Sequence, residues 1–392
     1  MRRLEEYVSA GGKLLRCGYT TGTCAAAAAR AATDLLLANE LPPAVCIQTP
    51  AGITVVVDVE KCERGDGWAR CAVRKDAGDD PDVTDGVLVW AEVQRTSEPG
   101  VVVLGGEGVG VVTKPGLDQP PGNAAINSVP RAMIRNAAQE SANEHGHAGG
   151  LSVRISIPAG VELAKRTFNP NLGIEGGISV LGTTGIVRPM SEDALVSSIK
   201  LELAVRRSEG MEHVLVVPGN YGKTFARESL GLDACDAVVC SNYLGETIDE
   251  AGRLGFTSLL LVGHIGKLAK VAAGVMNTHS RVADCRAEAL ATHAALAGAD
   301  VAIIAALLEA VTTDAMLDLL AQRGILQKTM ASLVQRLGEH LRRRAADSLC
   351  VEAIVFSNQH GLLGQTDGAQ ELMERHTFRD MPSPLHRKEP DA

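Results

Sequence analysis

Ser258-Leu259-Leu260-Leu261-Val262-Gly263-His264-Ile265-Gly266-Lys267 runs from a short aliphatic stretch into a glycine-bearing loop. Two other stretches repeat the move. His213–Val217 leads into Pro218-Gly219-Asn220-Tyr221-Gly222, and Ala237–Cys240 into Ser241-Asn242-Tyr243-Leu244-Gly245-Glu246. A helix is predicted after each. Val351–Phe356 reads as a returning strand that ends at Ser357-Asn358-Gln359-His360-Gly361. Strands alternating with helices imply an α/β domain with a parallel, Rossmann-like sheet. In such a sheet ligands bind outside the carboxyl ends of the strands. The loops therefore mark a crevice, with Gly219, Asn220, Gly222, Asn242, Gly263 and Gly266 as candidate ligand contacts. Glu246 and His264 are candidate catalytic bases by their location in the same loops. Tight strand-to-helix turns are the competing explanation for the glycines.

Two nucleotide motifs fail on inspection. Gly263 to Lys267 resembles the end of a P-loop, but Leu261 stands where the first glycine belongs and Leu268 replaces the Ser or Thr that would hold magnesium. Gly106-Glu107-Gly108-Val109-Gly110-Val111 offers two glycines of a dinucleotide fingerprint and then valine, with no amphipathic helix directly after it.

The first half reads as an α+β domain. A Thr-capped helix is expected from about Thr21 to Leu37, with strands at Ile53–Val59 and Trp68–Val73 around Gly65-Asp66-Gly67. Further strands are expected at Val87–Val93, Val101–Leu104 and Leu151–Ile157, and a helix at Asn123–Ala142. Ser191 is a good N-cap with Glu192 and Asp193 in the first turn, so the boundary falls near Pro189. The expected division is residues 1–189, 190–365, and a polar, proline-bearing, disordered tail at 366–392.

A chain of 392 residues favours two domains. Its 38 basic and 47 acidic residues leave a formal charge of −9, which disfavours nucleic acid as a partner. Aromatics at 3% argue against a base-stacking surface. Nine cysteines without a C-x-x-C pair give no zinc or thioredoxin signal, and reduced thiols suit a cytoplasmic protein. Met1–Glu6 has no apolar core like that of a signal peptide, and the run Val301–Leu308 is too short to span a membrane. The sequence leaves a homo-oligomer open.

Gly18-Tyr19-Thr20-Thr21-Gly22-Thr23-Cys24 precedes Ala25–Ala29. A helix N-terminus with little side-chain bulk suits an anion. Thr20, Thr21, Gly22 and Thr23 are therefore candidate contacts to an anionic ligand, joined by the cations Lys114, Arg131 and Arg188 beside flexible backbone. An ordinary Thr-capped helix packed through its alanines is the plainer reading. Asp76, Asp79, Asp80, Asp82 and Asp85 crowd one segment but lack EF-hand spacing. A solvated loop, or pairing with Arg74 and Lys75, is expected there rather than a metal site.

Gly18–Ala29 also resembles the N-terminal signature of the cobalt-precorrin-5B C(1)-methyltransferases, the CbiD family. Lys75–Thr84 is similar to that family's acidic segment. Thr113–Leu117, Pro121–Asn127, Asn169–Gly177, Gly219–Gly222 and Gly263–Lys267 fit as well. The motifs keep their order from near Lys13 to near Gly364. The resemblance implies transfer of a methyl group from S-adenosylmethionine to ring carbon 1 of cobalt-precorrin-5B, giving cobalt-precorrin-6A in the oxygen-independent route to cobalamin. It implies an S-adenosylmethionine crevice in the second half and substrate-carboxylate contacts in the first. Cobalt arrives inside the anionic corrin precursor, so no protein metal site is required. Neither nucleic acid nor membrane is an expected partner. A non-enzymatic carrier of corrin precursors is the alternative. It would need the anion site and no adenosyl crevice.

Overall fold

The computed structural model describes residues 2–10, 12–38, 43–167 and 169–377. The chain divides into two compact units, Met1–Glu192 and Asp193–Ala392.

The first unit is built on a six-stranded sheet. Its strands are β1 (Ala44–Gln48), β2 (Thr54–Gly65), β3 (Trp68–Arg74), β4 (Leu88–Thr96), β5 (Val101–Gly105) and β6 (Gly150–Ser156), in the order β1-β2-β3-β4-β6-β5. All neighbours are antiparallel except β6 and β5. Side chains alternate between the two faces. Cys71, Val73, Val89, Ala91, Val93 and Val153 are fully buried on one of them. Helix α1 (Thr21–Ala38) lies on that face, and α2 (Ser128–Glu144) packs beside α1. Cys24–Ala29 have no exposure at all, so this part of the helix is buried all round and its alanines permit close approach. The register also brings Cys62 and Cys71 face to face, with sulfurs 2.7 Å apart.

The expected helix at Asn123 starts only at Ser128. Residues before it spend their backbone groups elsewhere: Ala125 N–H donates to Gly110 O and its carbonyl accepts from Val180 N–H. Strand β1 was not anticipated, although Val45 and Ile47 are buried and alternate with exposed neighbours.

Two glycines of this unit explain each other. A Cβ on Gly18 would lie 2.2 Å from the Ala77 carbonyl carbon, and one on Gly78 would lie 2.2 Å from Arg16 O. Tyr19 N–H donates to Asp76 O at 2.7 Å in the same crossing. Gly18→Ala should therefore cost about 1–3 kcal/mol, the usual range for overpacking. The urea midpoint should fall with an unchanged slope. An unchanged midpoint would rule out this backbone contact.

The second unit opens with α3 (Glu192–Ser208). Then follow β7 (His213–Val217), α4 (Asn220–Glu228), β8 (Val238–Val239), α5 (Leu244–Arg253), β9 (Ser258–His264) and α6 (Ile265–Ala272). Helices α7 (Arg286–Leu296), α8 (Val301–Glu309), α9 (Thr313–Gln322) and α10 (Leu326–Ala345) precede β10 (Cys350–Ser357), β11 (Gly361–Gln365) and α11 (Ala369–Arg375). The sheet order is β8-β7-β9-β10-β11. The first four strands are parallel and β11 is antiparallel. Val214, Leu259 and Val355 enter one core, while Leu215, Leu260 and Ile354 enter another. Burial on both faces is why these strands are continuous apolar runs rather than alternating ones.

The chain stays ordered beyond residue 365, against the expected disorder. Ala369 and Leu372 of α11 are buried in the core that also holds Ile354 and Phe356. Helix α11 thus shares the cover of that face with α4, whose Ala226 enters the same core. Residues 378–392 of the expected tail lie outside the described residues. Among the described residues, no helix is long and apolar enough to cross a membrane.

Candidate active site

In the second unit the strand order reverses between β7 and β9. Loops at the carboxyl ends of such strands diverge there and leave a crevice. Lys267, in the first turn of α6, ties the loops together. Its Nζ donates to Pro218 O at 3.3 Å and to Ser241 O at 3.0 Å, the carbonyls that follow β7 and β8. Burial pushes the Lys267 ammonium below the ordinary lysine range. Ser241 sits at φ 53, a left-handed conformation that costs a non-glycine residue energy and needs its surroundings to hold it. The Gly-Lys pair that resembled a P-loop thus serves the crevice's own backbone.

The candidate glycines fall into two groups. A Cβ on Gly222 would meet Val262 O at 2.7 Å, and one on Gly263 would meet Leu268 Cγ at 2.9 Å. These two bring helices close to strands, which is by itself a packing reason for glycine there. Nothing lies within 4 Å of a Cβ on Gly219. Its φ of 169° is ordinary extended backbone. Neither packing nor conformation requires glycine there. Gly266 faces His264 Nδ1 at 3.3 Å and Thr313 Oγ1 at 3.7 Å. Asn220 is exposed at the start of α4. Asn242 is structural: its Oδ1 accepts from the Thr278 hydroxyl at 3.2 Å and its carbonyl from Thr278 N–H at 2.9 Å.

His264 caps α6, its Nδ1 accepting from Gly266 N–H at 3.1 Å. Burial lowers its pKa, with Asp314 opposing, so the neutral ring predominates at pH 7. With Nδ1 accepting, the neutral ring carries its proton on Nε2. Nδ1 is thus engaged by the helix cap, and Nε2 is left as the ring's hydrogen-bond donor. Phe356 holds the ring edge-on at 5.5 Å. Glu246, half-buried in the first turn of α5, has a carboxylate with no hydrogen-bond or ion-pair partner among the described residues.

In the first unit the start of α1 is capped from within. Thr23 N–H donates to Thr20 Oγ1, and Thr23 Oγ1 donates to Gly185 O at 2.6 Å. Thr21 Oγ1 donates to Leu181 O, and Gly22 N–H donates to the same carbonyl. Thr20, Thr21 and Thr23 are buried. These donors are spent on Thr20 Oγ1 and on the carbonyls of Leu181 and Gly185, as in an ordinary Thr-capped helix start.

The three candidate cations have different neighbours. Lys114 lays its stem over Gly173. Arg188 is exposed and its charge acts on Cys17. Arg131 donates to Val103 O at 2.8 Å and Ala124 O at 3.4 Å, and it lines a cavity of about 420 Å³. Arg154, which the sequence reading passed over, lines the same cavity. Its only signal was a cation in a strand of otherwise alternating apolar residues.

The acidic segment is internally satisfied. Arg16 grips Asp76 with two bonds of 2.7 Å, and Lys75 meets Asp82 at 2.5 Å. Asp79, Asp80 and Asp85 accept backbone N–H groups of Arg16, Met190 and Ala77. Arg74, an expected partner, pairs with Glu60 instead. Among the described residues no group of three or more His, Cys, Asp or Glu could hold a metal ion.

A profile of the CbiD family matches residues 8–189, and one of the CbiD C-terminal domain matches residues 277–367. The chain is 44% identical over 376 residues to the cobalt-precorrin-5B C(1)-methyltransferase of Ruminiclostridium cellulolyticum, covering 95% of this chain and 98% of that one. The chain belongs to the CbiD family. The enzyme of the same name from Thermoanaerobacter sp. is 45% identical, over 92% of this chain and 98% of its own. The crystal structure of the cobalamin biosynthesis protein cbiD from Archaeoglobus fulgidus is 32% identical, covers 70% of this chain and 86% of its own, and has a TM-score of 0.39. In this CbiD chain the crevice loops Gly219–Lys267 lie between the two profile matches, while the acidic segment and the Arg131 cavity lie inside the first.

Proposed function

We propose that this chain methylates ring carbon 1 of cobalt-precorrin-5B to give cobalt-precorrin-6A, with S-adenosylmethionine as donor. The observation that carries the reading is identity of 44–45% over 92–95% of the chain with relatives bearing that activity as their name. The β7–β9 crevice fits a donor of this kind. Open space stands in front of Gly219, and Lys267 fixes the flanking loop carbonyls.

When bound, S-adenosylmethionine supplies a sulfonium methyl, a strong electrophile that an electron-rich macrocycle carbon can attack in line. The chain's own residues then mainly align the partners, an effect worth roughly 7–11 kcal/mol of barrier. Gly219 and Gly266 admit the donor against backbone. His264 presents its Nε2 proton as a hydrogen-bond donor. Glu246, whose carboxylate has no hydrogen-bond or ion-pair partner among the described residues, serves as the base for a macrocycle proton. Cobalt belongs to the substrate. The reading carries a cytoplasmic location with it.

Anaerobic incubation with methyl-labelled S-adenosylmethionine and cobalt-precorrin-5B should place label on carbon 1. Binding of the macrocycle without transfer by folded protein would favour the carrier alternative. Label at another carbon would overturn the stated regiochemistry.

A further inference from the structure

We infer that the cavity between Arg131 and Arg154 is a subsite for a carboxylate arm of the tetrapyrrole, an assignment that rests on the corrin-precursor reading. The cavity opens beside β5, the edge strand of the first unit's sheet. Arg131 reaches it from α2 and Arg154 from β6. Both guanidinium groups are fastened to that edge: Arg131 Nη1 donates to Val103 O at 2.8 Å, and Arg154 Nη1 donates to Gly105 O at 3.1 Å. Such anchoring holds the groups in place without neutralising them. Neither has a carboxylate partner among the described residues, and Arg131 Nε is buried with no acceptor.

The charge pattern is unusual for a protein at −9. The wall contains no Asp or Glu; the rest of it is aliphatic or glycine with Asn123. At about 420 Å³ the space falls within the ~300–1,000 Å³ typical of small-ligand sites. A guanidinium retains several N–H donors after one or two backbone bonds, in the planar fork that carboxylates match. Burial and the nearby Arg135 lower the Arg131 pKa, with Asp118 opposing.

A second cavity of about 260 Å³ shares Arg154 and is walled by Trp90, Pro158, Arg70 and Ser156, with Glu92 and Glu107. The Arg70 guanidinium lies 5.1 Å from the Trp90 ring. This neighbour offers a flat apolar wall next to the cationic cavity. A macrocycle with peripheral carboxylates combines both features: an arm enters between the arginines while the ring edge rests against Trp90 and Pro158.

Both tryptophans of the chain lie beside Arg70, so their emission reports a bound chromophore. Uroporphyrin, a stable ring bearing carboxylates, is the probe, with its carboxamide derivative as control. Titration of the full chain should give saturable quenching by uroporphyrin and little by the amide. Arg154→Gln should raise the uroporphyrin dissociation constant ~10- to 100-fold, the loss of one charge-assisted contact. Arg131→Lys, which keeps the charge but loses the fork, should raise it less. Circular dichroism checks the fold, and Arg154 is exposed, so Arg154→Gln should melt with the native chain. In turnover Arg154→Gln should raise KM for cobalt-precorrin-5B and leave KM for the methyl donor unchanged. Equal affinity of native chain and variant, equal binding of the amide, or displacement of uroporphyrin by millimolar inorganic phosphate would overturn the assignment. If the native chain transfers no methyl yet Arg154→Gln still weakens uroporphyrin binding, the subsite stands and the methyltransferase reading fails.

Discussion

Lys75→Ala should destabilise the first unit by about 3–5 kcal/mol, the cost of stripping one partner from a buried ion pair. The Lys75 side chain is 1% exposed and its ammonium lies 2.5 Å from the Asp82 carboxylate. Asp82 is also held by Thr84, through the backbone N–H at 2.8 Å and the hydroxyl at 2.7 Å. Alanine would leave that carboxylate folded inward without its cation, next to a void. For a unit of this size the melting temperature should fall by roughly 10 °C. The pH dependence has a definite sign. Burial alone would raise the Asp82 pKa, but Lys75 and Thr84 outweigh it and the net shift is downward. A depressed carboxylate stabilises the fold above its unfolded value near ~3.9 and loses that contribution as pH falls through the lower folded value. In Lys75→Ala the largest contribution to the depression is gone, and only the Thr84 bonds remain. The stability gap between native chain and variant should therefore be full at pH 7 and narrow below about pH 4. Denaturant titrations at pH 7 and pH 3 measure it. A gap under ~1 kcal/mol at pH 7, or one that ignores pH, would mean the pair does not hold this segment.

That segment shows what a sequence can and cannot disclose. The acidic run and the glycine-threonine run both stood out, and Lys75, one of the partners expected for the acidic run, pairs with Asp82. Their mutual contact did not show. Gly18 and Gly78 need close backbone approach between segments far apart in sequence, and no local rule carries that. The same limit applies to the start of α1. Its Thr cap was legible from composition, but the carbonyls that consume its donors come from Leu181 and Gly185. The parallel strands were legible because burial on both faces leaves an uninterrupted aliphatic run. Strand β11 was not, since Gly361-Leu362-Leu363-Gly364-Gln365 is largely half-exposed and gains its strand geometry from pairing with β10. Helix α11 was missed for a related reason. Only Ala369 and Leu372 of its residues are buried, too few to stand out in a polar tail. Arg154 and the anchoring role of Lys267 depend on carbonyls of distant strands, so each looked like a surface charge or a failed motif.

The crevice can be tested by two valine substitutions that look equivalent in sequence. Gly219→Val and Gly263→Val both replace a glycine at the carboxyl end of a parallel strand. The surroundings separate them. At Gly263 the new side chain would press on Leu268, whose Cγ would lie 2.9 Å from the first added carbon. That substitution should cost about 1–3 kcal/mol of stability by overpacking and says little about a ligand. At Gly219 the backbone is extended, which a β-branched residue adopts readily, and the space ahead is open. The Gly219 carbonyl would still accept from Gly222 N–H at 3.0 Å, so the start of α4 should survive. Gly219→Val should therefore melt like the native chain. If the methyl donor occupies the β7–β9 crevice, the isopropyl group takes the room its approach requires. Affinity for S-adenosylhomocysteine should then fall about 100-fold, equivalent to ~2.7 kcal/mol. Calorimetric titration and thermal unfolding on the same preparations give both numbers. Native affinity in Gly219→Val would remove this loop from the donor site and leave the strand-order reversal without a ligand.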